Sequence, residues 1–304
     1  MTYNVTIFGI HLTLNPVAFS IPLGSGKWDI YWYGIIIAAG FLSALIFALK
    51  NAKSFNLNSD RMLDVVLVST PVAILSARAY YLIFDGEKTG GIKEFFGFGN
   101  SSGFSGLAIY GGVIGAFLAG ALMCKIRKVK ILDMFDIAAV GFLLGQGIGR
   151  WGNFVNQEAY GGFTGSAFWG MQSEKTIREM GAEGLVHPCF LYESVWCIAG
   201  FFLLNYLSKK RRFSGETSLM YCAWYGFGRA FIELLRTDSL MIGRIKVSCL
   251  FSALICLAGI AAIIVIRNRL AQNGTQENYT PIFDGTEETE KKTESEEDEN
   301  VQNN

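Results

Sequence analysis

Long apolar stretches alternate with short polar stretches along the first 270 residues. A helix that crosses a bilayer needs roughly 20 consecutive, mostly apolar residues. Three windows reach this length without any charged residue: 30–49, 104–123 and 247–266. Four more are apolar but contain charged residues: 65–84, 134–150, 188–207 and 217–235. The pattern predicts an all-α integral membrane protein with seven transmembrane helices.

The composition supports a membrane protein and separates the last 34 residues from the rest. Charged residues make up 17% of the chain and hydrophobic residues 51%, whereas soluble domains carry about 25% charged residues. Segment 271–304 holds ten acidic and two basic residues. We therefore expect a membrane domain over 1–270, followed by an acidic, disordered cytoplasmic tail over 271–304.

The basic residues of the short loops predict the orientation of the helices. Thirteen Lys and Arg residues follow the first, third, fifth and seventh windows, in segments 50–61, 125–130, 209–212 and 267–269. Loops rich in Lys and Arg stay in the cytoplasm, which places the N-terminus outside and the C-terminus inside.

Loop 151–187 is long and rich in Gly and aromatic residues, so we expect an ordered extracytoplasmic cap there. Segment 90–106 is expected to be a loop or a short interfacial helix.

Ionisable residues at membrane depth are expensive and usually functional. Four arginines fall in the outer half of their predicted helices or at the outer end: Arg78, Arg150, Arg229 and Arg236. Arg229, Glu233 and Arg236 follow the spacing i, i+4, i+7, which puts them on one helix face. Converging guanidinium groups suit an anionic ligand such as a phospholipid headgroup. The alternative is that Glu233 neutralises an arginine and the charges only hold helices together.

Five short motifs occur in a fixed order along the chain. The densest is GRWGNFVNQEAYG at 149–161, where the fourth predicted helix leaves the membrane. The others are WYG at 32–34, YGG at 110–112, HPxxLYE at 187–193 and GRAFIELLRTD at 228–238. Together they resemble the signature of the prolipoprotein diacylglyceryl transferase family, over about residues 20–267.

The resemblance implies an enzyme of the bacterial cell membrane with its active site toward the extracytoplasmic face. Members of this family move the sn-1,2-diacylglyceryl group of phosphatidylglycerol onto the lipobox cysteine of a prolipoprotein. A thioether forms and glycerol 1-phosphate leaves. The implied partners are phosphatidylglycerol, the signal-peptide junction of the prolipoprotein and the bilayer, and nucleic acid is not among them. The family implies no cofactor, and none of the usual metal-ligand spacings occurs in the sequence.

The resemblance also suggests roles for individual residues. Arg150 and Arg236, with Asn153 as a neutral donor, are expected to stabilise charge that develops on the phosphate. Tyr110 occupies a position where many relatives have histidine, and a phenol is a poor base at neutral pH, so we expect it to orient substrate. His187 is a candidate base or a helix cap. The remaining substrate-binding candidates are Tyr33, Arg78, Asn156, Glu158, Gly161, Glu193, Arg229 and Glu233.

Within this set, two carboxylates have more specific expectations. Glu158 is expected to pair with Arg150 or to orient Asn156, and Glu193 to neutralise an intramembrane arginine.

Two other classes of protein are compatible with inward-facing arginines. A transporter or channel for an anionic solute would also carry them, although we find no internal repeat of the kind many transporters have. A non-catalytic membrane scaffold would leave the cluster at 149–161 unexplained. The transporter or channel is therefore the alternative to the enzyme.

Overall fold

The computed structural model describes residues 2–23, 26–84, 95, 108–237, 241–242 and 245–272. The predicted tail lies outside these residues from 273 onward. So does the predicted loop or interfacial helix at 90–106, apart from Phe95.

The described part of the chain is mostly helical, and its helices overlap all seven predicted windows. They are α1 (Trp32–Asn51), α2 (Ser59–Phe84), α3 (Ile109–Ile126), α4 (Ile131–Asn156), α5 (Glu174–Met180), α6 (Cys189–Ser208), α7 (Glu216–Leu235) and α8 (Val247–Gln272). A 3-10 turn, Ala52–Phe55, follows α1. Five of these helices are long and apolar enough to cross a membrane, namely α1 with its 3-10 turn, α2, α4, α6 and α8. The protein is therefore an integral membrane protein.

The C-terminal ends of two helices affect the site, and one of them lies beyond its sequence window. α4 continues six residues beyond Arg150 and ends at Asn156, so the Gly-Arg-Trp-Gly-Asn stretch is helical and not part of a loop. It ends because Gln157 adopts a left-handed conformation, φ 55°, in which its N–H bonds to the carbonyls of Asn153 and Phe154. α7 ends at Leu235, so Arg236 is its C-cap and has an extended backbone.

The prediction of an all-α protein is wrong, because the chain also forms three small antiparallel sheets. The strands are β1 (Tyr3–Ile7), β2 (Ile10–Leu14), β3 (Val17–Leu23), β4 (Gly26–Tyr31), β5 (Met171–Ser173), β6 (Met241–Ile242) and β7 (Ile245–Lys246). The first sheet has the order β2-β1-β5, while β3 pairs with β4 and β6 with β7. Strands of two to seven residues are too short to form apolar windows of membrane-spanning length, so the windows did not indicate them.

The β2-β1-β5 sheet packs on the end of the helical bundle that holds the candidate site. Val5 and Met171 from the sheet are buried against Phe154 of α4 and Phe190 of α6. The predicted cap was loop 151–187, of which residues 151–156 belong to α4. The remaining residues, 157–187, contain β5 and α5 and are joined to the N-terminal strands by the pairing of Val5 with Ser173.

Helix pairs set the position of the site. α1 packs chiefly on α4, α2 on α3, and α7 on α8, while α6 packs on both α4 and α7. Between α6 and α7, the indole rings of Trp196 and Trp224 stack with centroids 4.1 Å apart. Each indole N–H donates to the other residue's carbonyl, at 3.0 and 3.1 Å. This reciprocal pair fixes the distance between the helices that carry Glu193 and Arg229.

The opposite end of α7 is fixed by a buried carboxylate from α4. Asp136 is fully buried and accepts hydrogen bonds from the N–H groups of Gly215 and Ser218, both at 2.8 Å. These donors lie at the start of α7, where backbone N–H groups have no partner within the helix. The contact holds α7 against α4 at a distance from the site and so sets the register between them.

Candidate active site

Two facing rows of polar side chains run along α4 and α7. On α7, Tyr221, Tyr225, Arg229 and Glu233 recur every four residues and therefore share one face. Gln146 Nε2 of α4 donates to the Tyr221 hydroxyl at 3.0 Å. One turn further, Arg150 Nη2 lies 3.5 Å from the Tyr225 hydroxyl. The two rows lead toward the C-terminal ends of α4 and α7 and terminate in a cluster of charged groups.

Glu193, in the first turns of α6, is the centre of that cluster. Its Oε2 lies 2.5 Å from Arg150 Nη2, and its Oε1 accepts from Arg229 Nη1. Arg236 Nη1 approaches Oε1 at 3.5 Å. Arg229 is also paired with Glu233, Nη2 to Oε2, at 2.7 Å. One carboxylate thus contacts three guanidinium groups that come from α4, from α7 and from the end of α7.

The cluster brings together three guanidinium groups and two carboxylates. The carboxylates are almost completely buried, whereas the Arg150, Arg229 and Arg236 side chains keep 21%, 19% and 13% of their exposure. An anion can therefore reach the arginines. The two carboxylates hold the guanidinium groups in position. Asn153 Oδ1 accepts from Arg150 Nη1 at 3.4 Å, which adds a neutral amide beside the arginine.

The last residue of the predicted charged stripe reaches the cluster in an unexpected way. We expected Arg236 to continue the helix face of Arg229 and Glu233, but the helix has ended and Arg236 extends away from it, φ −70° and ψ 145°. Its backbone forms a bridge with Gly161. A Cβ at Gly161 would lie 2.6 Å from the Leu235 carbonyl oxygen and 2.9 Å from His187 Cβ. Only glycine allows this close approach.

The other candidates from the 149–161 motif and from α1 lie next to the cluster. The Tyr33 ring packs on Gly152, where a Cβ would come within 2.8 Å of Tyr33 Cδ2. Asn156 ends α4, and its carbonyl accepts from Lys175 Nζ at 3.2 Å. Glu158 is exposed, and its N–H donates to the Asn153 carbonyl at 2.8 Å. The predicted pairing of Glu158 with Arg150 is wrong, because the carboxylate on Arg150 is Glu193.

His187 belongs to a second polar group beside the cluster. Its Nδ1 lies 3.2 Å from the Tyr192 hydroxyl, which also accepts from Trp169 Nε1 at 2.7 Å. The backbone of His187 exchanges hydrogen bonds with that of the Gly161–Gly162 segment, at 2.9 and 3.0 Å. His187 therefore connects segment 161–163 to the start of α6.

Arg78 and Tyr110 lie on the α2–α3 pair, apart from the contacts described above. Arg78 is buried, and its guanidinium carbon lies 5.7 Å from the centre of the Tyr81 ring. Tyr110 is in the first turn of α3 and is 72% exposed. None of the contacts described for the Glu193 cluster includes either residue.

The chain matches a known protein family over most of its length. The family described as prolipoprotein diacylglyceryl transferase matches residues 16–265 of the chain. The chain belongs to this family.

Several bacterial relatives are similar over nearly their whole length. A phosphatidylglycerol–prolipoprotein diacylglyceryl transferase of Clostridium perfringens is 46% identical over 259 residues, which are 84% of this chain and 96% of the relative. Proteins of the same name from Clostridium novyi and Bacillus cytotoxicus are 39% and 41% identical. Those alignments cover 86% and 81% of this chain, and 99% and 92% of the relatives. These matches do not favour the transporter or channel alternative.

Three polar residues near the diacylglyceryl transferase motifs were missed in the sequence analysis. Gln146, Tyr221 and Tyr225 carry no formal charge, so they do not interrupt an apolar window. The available signal was the four-residue spacing of Tyr221, Tyr225, Arg229 and Glu233, because it continues the charged stripe two turns deeper into the helix.

Proposed function

We propose that this chain transfers the sn-1,2-diacylglyceryl group of phosphatidylglycerol to the lipobox cysteine of a prolipoprotein. The cysteine sulfur forms a bond to the terminal glyceryl carbon, and the bond between that carbon and the phosphate oxygen breaks. The bonding electrons stay on the oxygen, so glycerol 1-phosphate leaves with one more negative charge than the diester carried. The thiol proton is released in the same overall reaction.

The observation that carries the proposal is the convergence of three partly exposed guanidinium groups on the buried Glu193. A lipid phosphate gains negative charge as the bond breaks, and preorganised donors stabilise such charge in a site with little water. Guanidinium groups suit this role because they bond phosphate with two parallel N–H groups and stay charged when desolvated. Nearby guanidinium groups also favour the thiolate form of an incoming cysteine, which is the nucleophile.

Individual roles follow from position. Arg150 and Arg236 bind the phosphate, with Asn153 as a neutral donor. Glu193 and Glu233 hold the guanidinium groups, and Arg229 links the two carboxylates. Tyr33, Asn156, Glu158 and Gly161 shape the substrate site around the end of α4.

The residues outside the cluster act on the substrates from the periphery. Tyr110 orients substrate by hydrogen bonding, and Arg78 contributes from α2. His187 is the candidate to accept the thiol proton.

The proposed topology has seven crossings, with the N-terminus and the 151–187 cap outside and the C-terminus in the cytoplasm of a bacterial cell. In this arrangement the Glu193 cluster faces the side on which a translocated prolipoprotein presents its signal-peptide junction. Labelling of single introduced cysteines by a membrane-impermeant reagent tests it. Positions 165–168 should react from outside and positions 209–212 only after permeabilisation, and the reverse pattern would overturn the orientation.

The function is tested with purified protein, phosphatidylglycerol vesicles and a lipobox peptide. Mass spectrometry should show the peptide gaining one diacylglyceryl unit, and absence of that product would refute the proposal. Arg150→Lys and Arg236→Lys should each lower turnover per folded molecule about 10²–10³-fold, because lysine supplies a charge but no fork. Arg178→Lys, on the exposed face of α5, is the matched control and should retain full turnover. Normal rates in both site variants would refute the phosphate-clamp roles.

A further inference from the structure

Lys246 ends the short strand β7 and immediately precedes α8, yet its ammonium group lies at the end of α7. Nζ donates to the carbonyl oxygens of Glu233, Leu234 and Arg236 at 2.9, 3.1 and 2.5 Å. A lysine ammonium has three N–H donors, so all three are used on three carbonyls of one helix end.

This contact satisfies groups that the helix cannot satisfy itself. The last carbonyls of an α-helix have no partner within the helix, and a cation near the C-terminus also interacts favourably with the helix dipole. The Leu235 carbonyl, which Lys246 does not contact, accepts from the Gly162 N–H at 2.9 Å. Every carbonyl from Glu233 to Arg236 therefore has a donor, and Lys246 supplies most of them.

The same contact determines where Arg236 can reach. Residue 236 has left the helix, so intrahelical bonds no longer fix its carbonyl. Its backbone is held by its own N–H, which donates to the Glu233 carbonyl at 3.3 Å, by the bridge to Gly161 and by Lys246. Its guanidinium approaches Glu193 at 3.5 Å, a longer contact than those of Arg150 and Arg229. A small shift of the backbone would therefore remove this arginine from the cluster before it affected the other two.

We propose that Lys246 is a positioning residue that acts through Arg236, by locking the backbone of the α7 C-cap so that the guanidinium points at the phosphate site. The inference rests on the proposed function, since it assigns Lys246 a part in presenting an arginine to the lipid phosphate. Lys246 itself does not touch the substrate, because all its donors are engaged with the backbone.

The test is a double-mutant cycle on turnover per folded molecule in the diacylglyceryl transfer assay. Lys246→Met should lower turnover on the order of tenfold to a hundredfold, the scale of a misplaced positioning group. In an Arg236→Lys background the same substitution should have little further effect, because the residue through which it acts is already impaired. Equal fold-losses in the two backgrounds, or no loss at all, would overturn the inference.

Lys246→Gln and Cys249→Ala separate positioning from stability. Lys246→Gln keeps two N–H donors and is the substitute if Lys246→Met does not fold, and its loss should again vanish in the Arg236→Lys background. Cys249 also joins α8 to α7, with Sγ 3.4 Å from the Ala230 carbonyl, but it does not reach residues 233–236. Cys249→Ala should therefore keep full turnover, and a loss equal to that of Lys246→Met would assign the effect to helix packing.

A lipid-binding measurement distinguishes failure of this inference from failure of the proposed function. Phosphatidylglycerol should raise the thermal midpoint of the wild-type protein more than phosphatidylcholine does, and Lys246→Met should reduce that difference. If the wild-type protein forms no diacylglyceryl peptide, the proposed function fails, and the binding readout still tests Lys246. If the wild-type protein forms product and Lys246→Met matches it in turnover and in lipid response, the positioning role alone is wrong.

Discussion

Removing the charge of Glu193 should destabilise the protein more than any exposed carboxylate would. Glu193→Gln keeps the size of the side chain and one carbonyl acceptor, but Arg150, Arg229 and Arg236 would then lose the carboxylate that they share. The Glu193 side chain is only 3% exposed, so solvent cannot replace the lost charge. Breaking a buried ion pair by removing one partner costs about 3–5 kcal/mol. Because glutamine still accepts a hydrogen bond, we expect the lower end, about 3 kcal/mol.

Thermal unfolding in detergent measures this effect. With a shift of roughly 2–4 °C per kcal/mol for a protein of this size, the midpoint of Glu193→Gln should fall by about 6–12 °C. Glu183→Gln, in an exposed loop, is the control and should stay within about 0.5 kcal/mol of wild type. Adding Arg236→Gln to Glu193→Gln should recover part of the loss, because it removes one of the guanidinium charges that contact residue 193. A midpoint for Glu193→Gln equal to that of the control would refute the role of Glu193 as the centre of the cluster.

Three further predictions concern residues around and beyond the cluster. Tyr110→His should keep diacylglyceryl transfer, whereas Tyr110→Phe should weaken it without changing the pH dependence of the rate. Complete loss of transfer in Tyr110→Phe, with lipid still bound, would assign proton transfer to Tyr110. Deleting 273–304 should leave transfer activity within a few-fold, and an inactive truncation that is stably expressed would contradict this. Gly152→Ala should reduce turnover because its Cβ would meet the Tyr33 ring at 2.8 Å. Gly149→Ala should have a milder effect, because its Cβ would meet only the flexible end of a side chain at 3.1 Å. Equal activities of the two variants would show that the position of the Tyr33 ring is unimportant.

Hydropathy and charge were sufficient to predict the helices and the cluster in outline. Each apolar window overlaps a helix, since a helix of membrane-spanning length must be apolar over most of its residues. Arg150, Arg229 and Arg236 could be selected because a charge in an apolar segment is rarely incidental. That Glu193 joins all three could not be predicted, because the contact depends on how α4, α6 and α7 pack together.

The missed features have one of two physical causes. Either their contact partners are distant in sequence, or the element itself is too short to produce a recognisable sequence pattern. The strand β5 has three residues and pairs with the N-terminal β1, so no local pattern marks it. The extended backbone of Arg236 was also missed, because Arg236 fits the helical spacing although it lies beyond the end of α7, in a bridge with Gly161. Lys246 looks like an ordinary loop lysine until the structure places it beside residues 233–236.

The pairing of β1 with β5 also affects the order in which the protein can fold. Asn4 and Glu174, joined by a hydrogen bond of 2.8 Å, are 170 residues apart, and α1 to α4 are synthesised between them. Until β5 emerges, the N-terminus can form only the β1–β2 hairpin, and an isolated two-stranded hairpin is marginally stable at best. Because long-range strand pairing is slow, the first strands to be synthesised are among the last elements to be completed. The layer that covers Phe154 thus forms only after α4, the helix that carries this residue, has been synthesised.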